Sequence, residues 1–358
     1  MATAICLQRS GVAVELIDRD PDWRVYGAGI TITGPTLRAY RRLGLLERIK
    51  AEGAISDGTQ LYHFSGAPIA ELDEPAIEEG LPATGGIMRP VLHRIMSEEV
   101  RRLGIAVRLG ITVAHAQQDA GAVEVSFSDG RCGRYDLVVG ADGVYSQMRA
   151  LIFPEAPKPR FTGQGSWRIV AERPQDLNKI CFFLGHANMV GITPCSDDSV
   201  YVFILETDRE RLRIDQQDEP ARVRSLLADF GGRIVAIREG VGPHSSIVHR
   251  PLESVLLPKP WHSGRIVLVG DAVHATTPHL ASGAGMAVED ALVLTEEINR
   301  GSDNLEHALT AYTQRRFERC RFVVERSLEI GEVQMAQGSS ALVGEMSGNA
   351  LHRLAEDI

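Results

Sequence analysis

The stretch Gly264-Arg-Ile-Val-Leu-Val-Gly-Asp-Ala-Val-His-Ala-Thr-Thr-Pro-His279, continued by Gly283-Ala-Gly-Met-Ala-Val-Glu-Asp290, decides how the chain folds. Ile266 to Val269 is a short apolar run, expected to be a buried strand. It stops at Gly270-Asp271, and a glycine-punctuated loop then opens an amphipathic helix. In an open α/β sheet, ligands sit at the carboxyl ends of the strands. Asp271 is therefore placed to accept a hydrogen bond from a bound hydroxyl. Gly283, Ala284, Gly285 and Met286 begin the next helix, whose bare amides favour negative charge. A Gly-Asp after an apolar strand is also common in α/β proteins that bind nothing there.

A second stretch, Asp136-Leu-Val-Val-Gly-Ala-Asp-Gly-Val-Tyr-Ser146, repeats the pattern of a buried strand ending in a Gly/Asp turn. Upstream, Val14-Glu-Leu-Ile-Asp-Arg-Asp20 is a strand ending in acids. Tyr26-Gly-Ala-Gly-Ile-Thr31 is a glycine-rich segment, and Met88-Arg-Pro-Val-Leu-His-Arg-Ile95 opens a helix with an arginine. Taken singly, each has an ordinary reading as a turn or a solvated surface residue.

In this order, these elements resemble the single-component FAD-dependent aromatic hydroxylases, near their salicylate and 3-hydroxybenzoate hydroxylase-like members. The resemblance covers most of the chain. It implies an α/β fold: an FAD-binding dinucleotide domain (Rossmann-like, glutathione-reductase type) interleaved with a mixed β-sheet substrate domain, plus a C-terminal helix. By the resemblance, Asp18 and Arg19 stand at the adenosine ribose, and Gly29 beside the flavin. Arg89 approaches the cofactor phosphates. Asp142 and Gly143 lie near the pyrophosphate and the nicotinamide cofactor, and Gly270 and Asp271 at the ribityl or ribose hydroxyls. Pro278, Gly283, Ala284, Gly285 and Met286 line the flavin, whose reduced ring is negative at its pyrimidine end. In many relatives a Gly-Gln pair precedes the first of these glycines; here Ala281-Ser282 takes its place.

The implied cofactors are FAD, with NADH or NADPH as co-substrate. The implied reaction is reduction of FAD, addition of dioxygen to the reduced ring, and hydroxylation by the resulting peroxide of a phenolic or heteroaromatic ring, which can be a carboxylate. Water must be kept out. The alternatives are a flavin oxidase or dehydrogenase of the same fold without oxygen insertion, and a remnant that binds FAD poorly. No acid or base common to the family carries over. His279 is the candidate catalytic residue, since an ordinary pKa near 6.5 suits proton removal from a phenol; packing in a turn is the other reading. Trp167, Arg168 and Tyr201 are candidate substrate contacts through stacking and charge-assisted bonds, with core and surface as their alternatives. His274 is expected to be structural.

The dinucleotide fingerprint Gly-x-Gly-x-x-Gly lies about 20 residues before the ribose-binding acid. Counted back from Asp18, its last glycine falls at or before Met1, and Met1 to Ser10 is expected to be the rest of the first helix, stopped by Gly11. A central strand lost from a parallel sheet leaves buried backbone groups unpaired at about 1–3 kcal/mol each. That approaches a whole domain's 5–15 kcal/mol or so. The expectation is that the chain as written folds poorly and holds FAD weakly.

The pattern assigns 1–62, 83–155 and 252–300 to the FAD-binding domain, 63–82 and 156–251 to the substrate-covering sheet, and 301–358 to a C-terminal helical segment. Thr36 to Ala51, His93 to Leu103, Asp218 to Phe230 and the run from Leu305 have helical spacing. Val123-Glu-Val-Ser-Phe127 before Ser128-Asp-Gly130 is a strand and hairpin turn. Ile180 to Leu184, Met189 to Ile192 and Val200 to Leu205 are substrate-domain strands. The tail from Ser339 to Ile358 shows little pattern.

With 358 residues, 44% hydrophobic and 24% charged, the chain has room for two domains and a substantial core. A net charge of −9 and a pI near 5.7 argue against nucleic acid as partner. Cys6, Cys132, Cys181, Cys195 and Cys320 are scattered, with no Cys-x-x-Cys. That fits a reducing cytoplasm and gives no metal signature. No apolar run suggests a membrane span, and the start lacks a secretory pattern. The expected partners are a small aromatic substrate and dioxygen, with a homodimer open.

Overall fold

The computed structural model describes all residues except Tyr26, Asp57, Glu74, Pro75, Ala76, His186, Ala187, Ser302, Asp303 and Ser339, and only the backbone of Asp73, Ser340 and Ala341. Tyr26 of the glycine-rich segment thus lies outside the described residues.

The fold is mixed α/β. Among the described residues, parallel pairing occurs in the cofactor-side layer as two separate pairs rather than one continuous sheet. Glu15–Asp18 pairs with Ala106–Leu109. Val138–Gly140 pairs with Ile266–Leu268, which His262–Ser263 extends antiparallel. Helices Ala2–Arg9, Gly34–Arg42, Arg89–Arg102 and Gly283–Arg300 cover this layer. Gly11, at φ 88°, ends the first of them as expected. Two small antiparallel sheets complete it. One is the meander Val113–Gln118, Val123–Phe127 and Cys132–Tyr135. The other joins Gly29–Thr33, Thr84–Met88 and Ala54–Ser56.

The second layer is a seven-stranded mixed sheet. Its order is Ile247–Ser254, Arg160–Glu172, Ser199–Thr207, Asn188–Pro194, Ile180–Leu184, Gly58–His63 and Pro68–Asp73, with Asn188–Pro194 in the middle. Membership of this sheet moves the expected domain edges. Gly58–His63 belongs to it before residue 63, and Ile247–Ser254 runs on past 251. Strand alternation fixes the two faces. Trp167, Ile169, Phe183, Val202 and Ile204 pack against Val223, Leu227 and Ile234 on the outer face. Arg168, Tyr201 and Phe203 look the other way, toward the cofactor layer. A contact between Thr31 Oγ1 and Thr193 Oγ1 at 2.8 Å joins the layers.

The run from Thr36 to Ala51 forms two helices, Gly34–Arg42 and Leu46–Glu52, because Gly44 at φ 70° breaks it. From Leu305 a helix runs to Met335. The tail, within the expected C-terminal helical segment but with little pattern of its own, forms the helix Ser340–Leu354. Its end is fixed by Arg38, buried in helix Gly34–Arg42, whose Nη1 donates to the Ala355 carbonyl at 2.7 Å and Nη2 to that of Glu356 at 2.6 Å. No helix among the described residues is long and apolar enough to cross a membrane.

Candidate active site at the strand tips

Strands Val138–Gly140 and Ile266–Leu268 run side by side in the same direction, and the Val269 amide donates to the Gly140 carbonyl at 3.0 Å. Their carboxyl ends therefore point the same way. Gly270 then turns the backbone with φ 61°, where a side chain is strained, and Asp271 starts the short helix Asp271–His274. Asp142 leaves the neighbouring tip. Its carboxylate accepts from Ser146 Oγ at 2.5 Å and from the Met148 amide at 2.9 Å, capping helix Gln147–Ile152. The expectation for Asp142 named only a cofactor; the structure gives it this capping role.

Asp271 has an exposed side chain, yet burial among surrounding protein raises its pKa, opposed by His274 and Arg89. None of the influences on it is a hydrogen bond. Arg89 opens helix Arg89–Arg102, its amide donating to the Ala28 carbonyl at 2.9 Å and its Nε to that of Gly29 at 3.3 Å. Burial lowers its pKa and Arg168 adds to this, while Tyr201 and Asp271 oppose. Burial raises the pKa of Tyr201, against the pull of Arg168 and Arg89. Arg89 is thus within electrostatic reach of three residues from distant parts of the chain, Arg168, Tyr201 and Asp271. Gly29 lets the layers close here, since a Cβ would stand 2.4 Å from Tyr201 Cβ and 2.6 Å from Cys195 Sγ.

These residues fit FAD by the chemistry of their donor set. Asp271 offers an acceptor for ribityl or ribose hydroxyls, Arg89 a cation beside it, and helix Gly283–Arg300 a start whose first amides lack intrahelical partners. At Gly283 a Cβ would stand 3.2 Å from Thr276 Cγ2, so glycine lets the loop pack closely on the helix start.

Other expected site residues lie elsewhere. Trp167 is fully buried on the outer face, stacked on His249 with ring centroids 4.2 Å apart and donating from Nε1 to Glu206 at 2.7 Å. It is core and faces away from Arg168, because adjacent strand residues point to opposite faces. Met286 is also core, 1% exposed, and its amide donates to the Ser282 carbonyl, leaving neither for a ligand. Asp18 ends strand Glu15–Asp18 and accepts from the Asp20 amide at 2.8 Å, and Arg19 is exposed. Pro278 begins the 3-10 turn Pro278–Leu280, which rests on helix Leu305–Met335.

His279 sits in that turn, Nδ1 facing Thr277 Oγ1 at 2.8 Å, and burial pushes its pKa down to about 4. It is therefore neutral at neutral pH, which removes the reason for expecting a base of ordinary pKa. His274 is structural, as expected: its Nε2 meets Asp290 Oδ2 at 2.6 Å. Burial opposes charge on His274, but Cys320 and Asp290 outweigh it and raise the pKa. The same Asp290 carboxylate accepts from the Gly270 amide at 2.8 Å and from Arg316 Nε at 2.8 Å. Arg316 also holds Glu289 at 2.7 Å. His274, Asp290 and Cys320 are grouped closely enough to hold a cation, but the Arg316 guanidinium already occupies that ground. The network fixes the turn at Gly270 from behind. Sequence reading missed Arg149, Asp290 and Arg316; the sign available was charge inside otherwise apolar helix faces.

Residues 1–327 match the FAD binding domain family, to which the chain belongs. The family and its relatives are FAD-dependent monooxygenases, oxidoreductases for which NAD(P)H is the usual co-substrate. The chain is 30% identical over 342 residues to the 2-heptyl-3-hydroxy-4(1H)-quinolone synthase of Pseudomonas aeruginosa, covering 93% of this chain and 86% of that protein. It is 28% identical over 363 residues to the 3-amino-4-hydroxybenzoate 2-monooxygenase PtmB3 of Streptomyces platensis, covering 99% and 91%. Its fold matches Klebsiella pneumoniae HpxO, solved with FAD and uric acid, at a TM-score of 0.83 and 22% identity over 99% of this chain and 90% of that one.

Proposed function

We propose that this chain is an FAD-dependent, NAD(P)H-consuming monooxygenase that hydroxylates a phenolic or heteroaromatic small molecule. The carrying observation is the convergence on Arg89 of Arg168 and Tyr201, from the sheet face, and of Asp271, from the strand tip. The relatives' names support the ring: a quinolone, an aminohydroxybenzoate and uric acid are all aromatic or heteroaromatic.

Bound FAD supplies electron transfer from NAD(P)H and the activation of dioxygen. The protein supplies placement. Asp271 accepts hydrogen bonds from cofactor hydroxyls, and the open start of helix Gly283–Arg300 favours negative charge on the flavin. Arg168, whose Nε is buried without a partner, and the Tyr201 hydroxyl orient a polar or carboxylate substituent of the ring. The seven-stranded sheet covers the reacting face and excludes water. His279, neutral, serves as a hydrogen-bond partner rather than a strong base.

The deciding experiment is turnover under oxygen-18. Label in the hydroxylated product supports the proposal. Turnover with no label incorporated rejects it in favour of a flavin oxidase or dehydrogenase.

A further inference from the structure

The inner face of the seven-stranded sheet carries one row of residues that crosses five strands in register: Arg168, Phe203, Gly191, Phe182 and Leu61. Neighbouring strands stand about 4.8 Å apart, so Arg168 and Phe182 lie roughly 14 Å from each other along the row. The rows on either side are covered. On one side, Tyr201 and Thr193 meet the small sheet of the cofactor layer. A Cβ on Gly29 would stand 2.4 Å from Tyr201 Cβ, and one on Gly86 2.4 Å from Thr193 Cγ2. On the other side, Met189 and Leu205 face the C-terminal helices. Gln334 Nε2 lies 3.5 Å from Met189 Sδ, and Val343 shares a cavity of about 50 Å³ with Met189 and Leu205. Between these covers Arg168, Phe203, Phe182 and Leu61 are only half-buried.

Gly191 shapes this strip. A Cβ there would stand 2.2 Å from Phe203 Cε1 and 2.3 Å from its Cζ. Glycine inside a strand weakens it and marks a close approach; here the Phe203 ring makes that approach. The ring lies down over the glycine, away from Arg168 and toward Phe182, which it meets edge-on with centroids 6.0 Å apart. Tyr201 flanks it at 5.6 Å. A side chain at 191 would lift the Phe203 ring off the sheet into the space in front of it.

The two ends of the row differ in chemistry. Arg168 is a cation that hydrogen-bonds the Tyr201 side chain and repels Arg89, so an anion is favoured beside it. From Phe203 to Leu61 the row offers no hydrogen-bonding side-chain atom. A polar group laid there gives up water without replacement, whereas an apolar group gains by leaving water.

We propose that the strip Phe203–Gly191–Phe182 is an apolar subsite for a hydrophobic substituent of the substrate ring. The substrate class is then a ring with a polar or anionic group at one end, held by Arg168 and Tyr201. Its other end carries an alkyl or aryl substituent laid along Phe203 and Phe182. Gly191 and Phe182 are specificity-determining residues. The inference rests on the ring-hydroxylase reading and deepens it, since a small ring with polar groups all round fits only the Arg168 end.

The test measures binding of benzoate, 4-butylbenzoate and 4-hexylbenzoate to the FAD-loaded protein, read from the flavin absorbance. A methylene half-covered by the strip gives about a twofold gain in affinity, so wild type is expected to bind 4-hexylbenzoate roughly sixtyfold tighter than benzoate. The readout is the hexyl-to-benzoate ratio within each protein, so a general loss of affinity cancels. In Gly191→Ala the lifted Phe203 ring blocks the strip, and the ratio drops toward one. Phe182→Gln puts an amide in the strip and lowers the ratio as well; it keeps the test standing where Gly191→Ala does not fold. A wild-type ratio near one, or a ratio that Phe182→Gln leaves unchanged, overturns the inference. If either occurs while oxygen-18 enters a ring product, only the subsite is wrong. If no benzoate perturbs the flavin and no label is incorporated, the ring-hydroxylase reading falls with it.

Discussion

Arg149 reaches from helix Gln147–Ile152, which follows the Asp142 turn, to the helix that Asp271 begins, its Nη1 donating to the Ala272 carbonyl at 2.8 Å. Its Nη2 donates to the Val144 carbonyl, also at 2.8 Å, and the residue is 4% exposed. One guanidinium thus sets the spacing of the two strand tips. Arg149→Met should leave both carbonyls unpaired, at about 1–3 kcal/mol for each buried group. The expected outcome is a lower melting temperature and faster flavin release, measured by thermal unfolding with and without added FAD.

Asp271→Ala should weaken FAD retention. A charged acceptor to a hydroxyl contributes about 1.5–3 kcal/mol, a tenfold to 150-fold change in Kd. Titration of the apoprotein with FAD measures it, and an unchanged Kd would count against the assignment.

Arg316 is 1% exposed and pairs with Asp290 and Glu289, which are equally buried. Removing it takes a buried cation from both carboxylates, leaving Glu289 to Arg319 and Asp290 to His274 and the Gly270 amide. Arg316→Met should therefore destabilise the fold by about 3–5 kcal/mol. The exposed pair Arg321–Glu318 is the control, and Arg321→Met should leave the denaturant midpoint unmoved.

His279 gives a pH signature. Its ordinary pKa of 6.5 applies in the unfolded chain, and burial lowers it to about 4 in the fold. Between those values the unfolded state binds a proton that the native state does not, so stability falls as pH drops through this window. The loss is on the order of 2 kcal/mol. Urea unfolding from pH 7 to pH 4.5 should show a slope that His279→Gln flattens. His274 has the opposite sign: with a raised pKa, its contribution is full below 6.5 and is lost only at higher pH.

Arg38 closes the C-terminal end of the molecule. Arg38→Ala removes the donors to the Ala355 and Glu356 carbonyls. Hydrogen exchange across Ser340–Leu354 should accelerate while the strands around Ile266–Leu268 keep their protection.

Much of the scaffold was legible locally. The apolar run before Gly270-Asp271, the strand before Asp142, and the strands Ile180–Leu184 and Ser199–Thr207 follow from short-range pattern. The helix Ser340–Leu354 did not, because Gly344 and Gly348 weaken its local preference and its end is held by Arg38 and Arg319 from elsewhere. Five of the proposed site residues, Gly29, Arg89, Arg168, Tyr201 and Asp271, do converge in the structure. Trp167 and Met286 do not, since periodicity gives alternation but not which side meets the other layer.

By itself, the order of residues determined the α/β class, the two Gly-Asp strand ends and the resemblance to flavin-dependent hydroxylases. These depend on hydrophobic period and turn chemistry over a few neighbouring positions. Only the tertiary structure decided that Arg168 rather than Trp167 faces the cofactor layer, that Arg316 neutralises Asp290 behind the site, and that the Phe203 ring lies over Gly191. Each of these depends on which distant segments touch: burial, pairing and open space are properties of the packed chain and have no local signature.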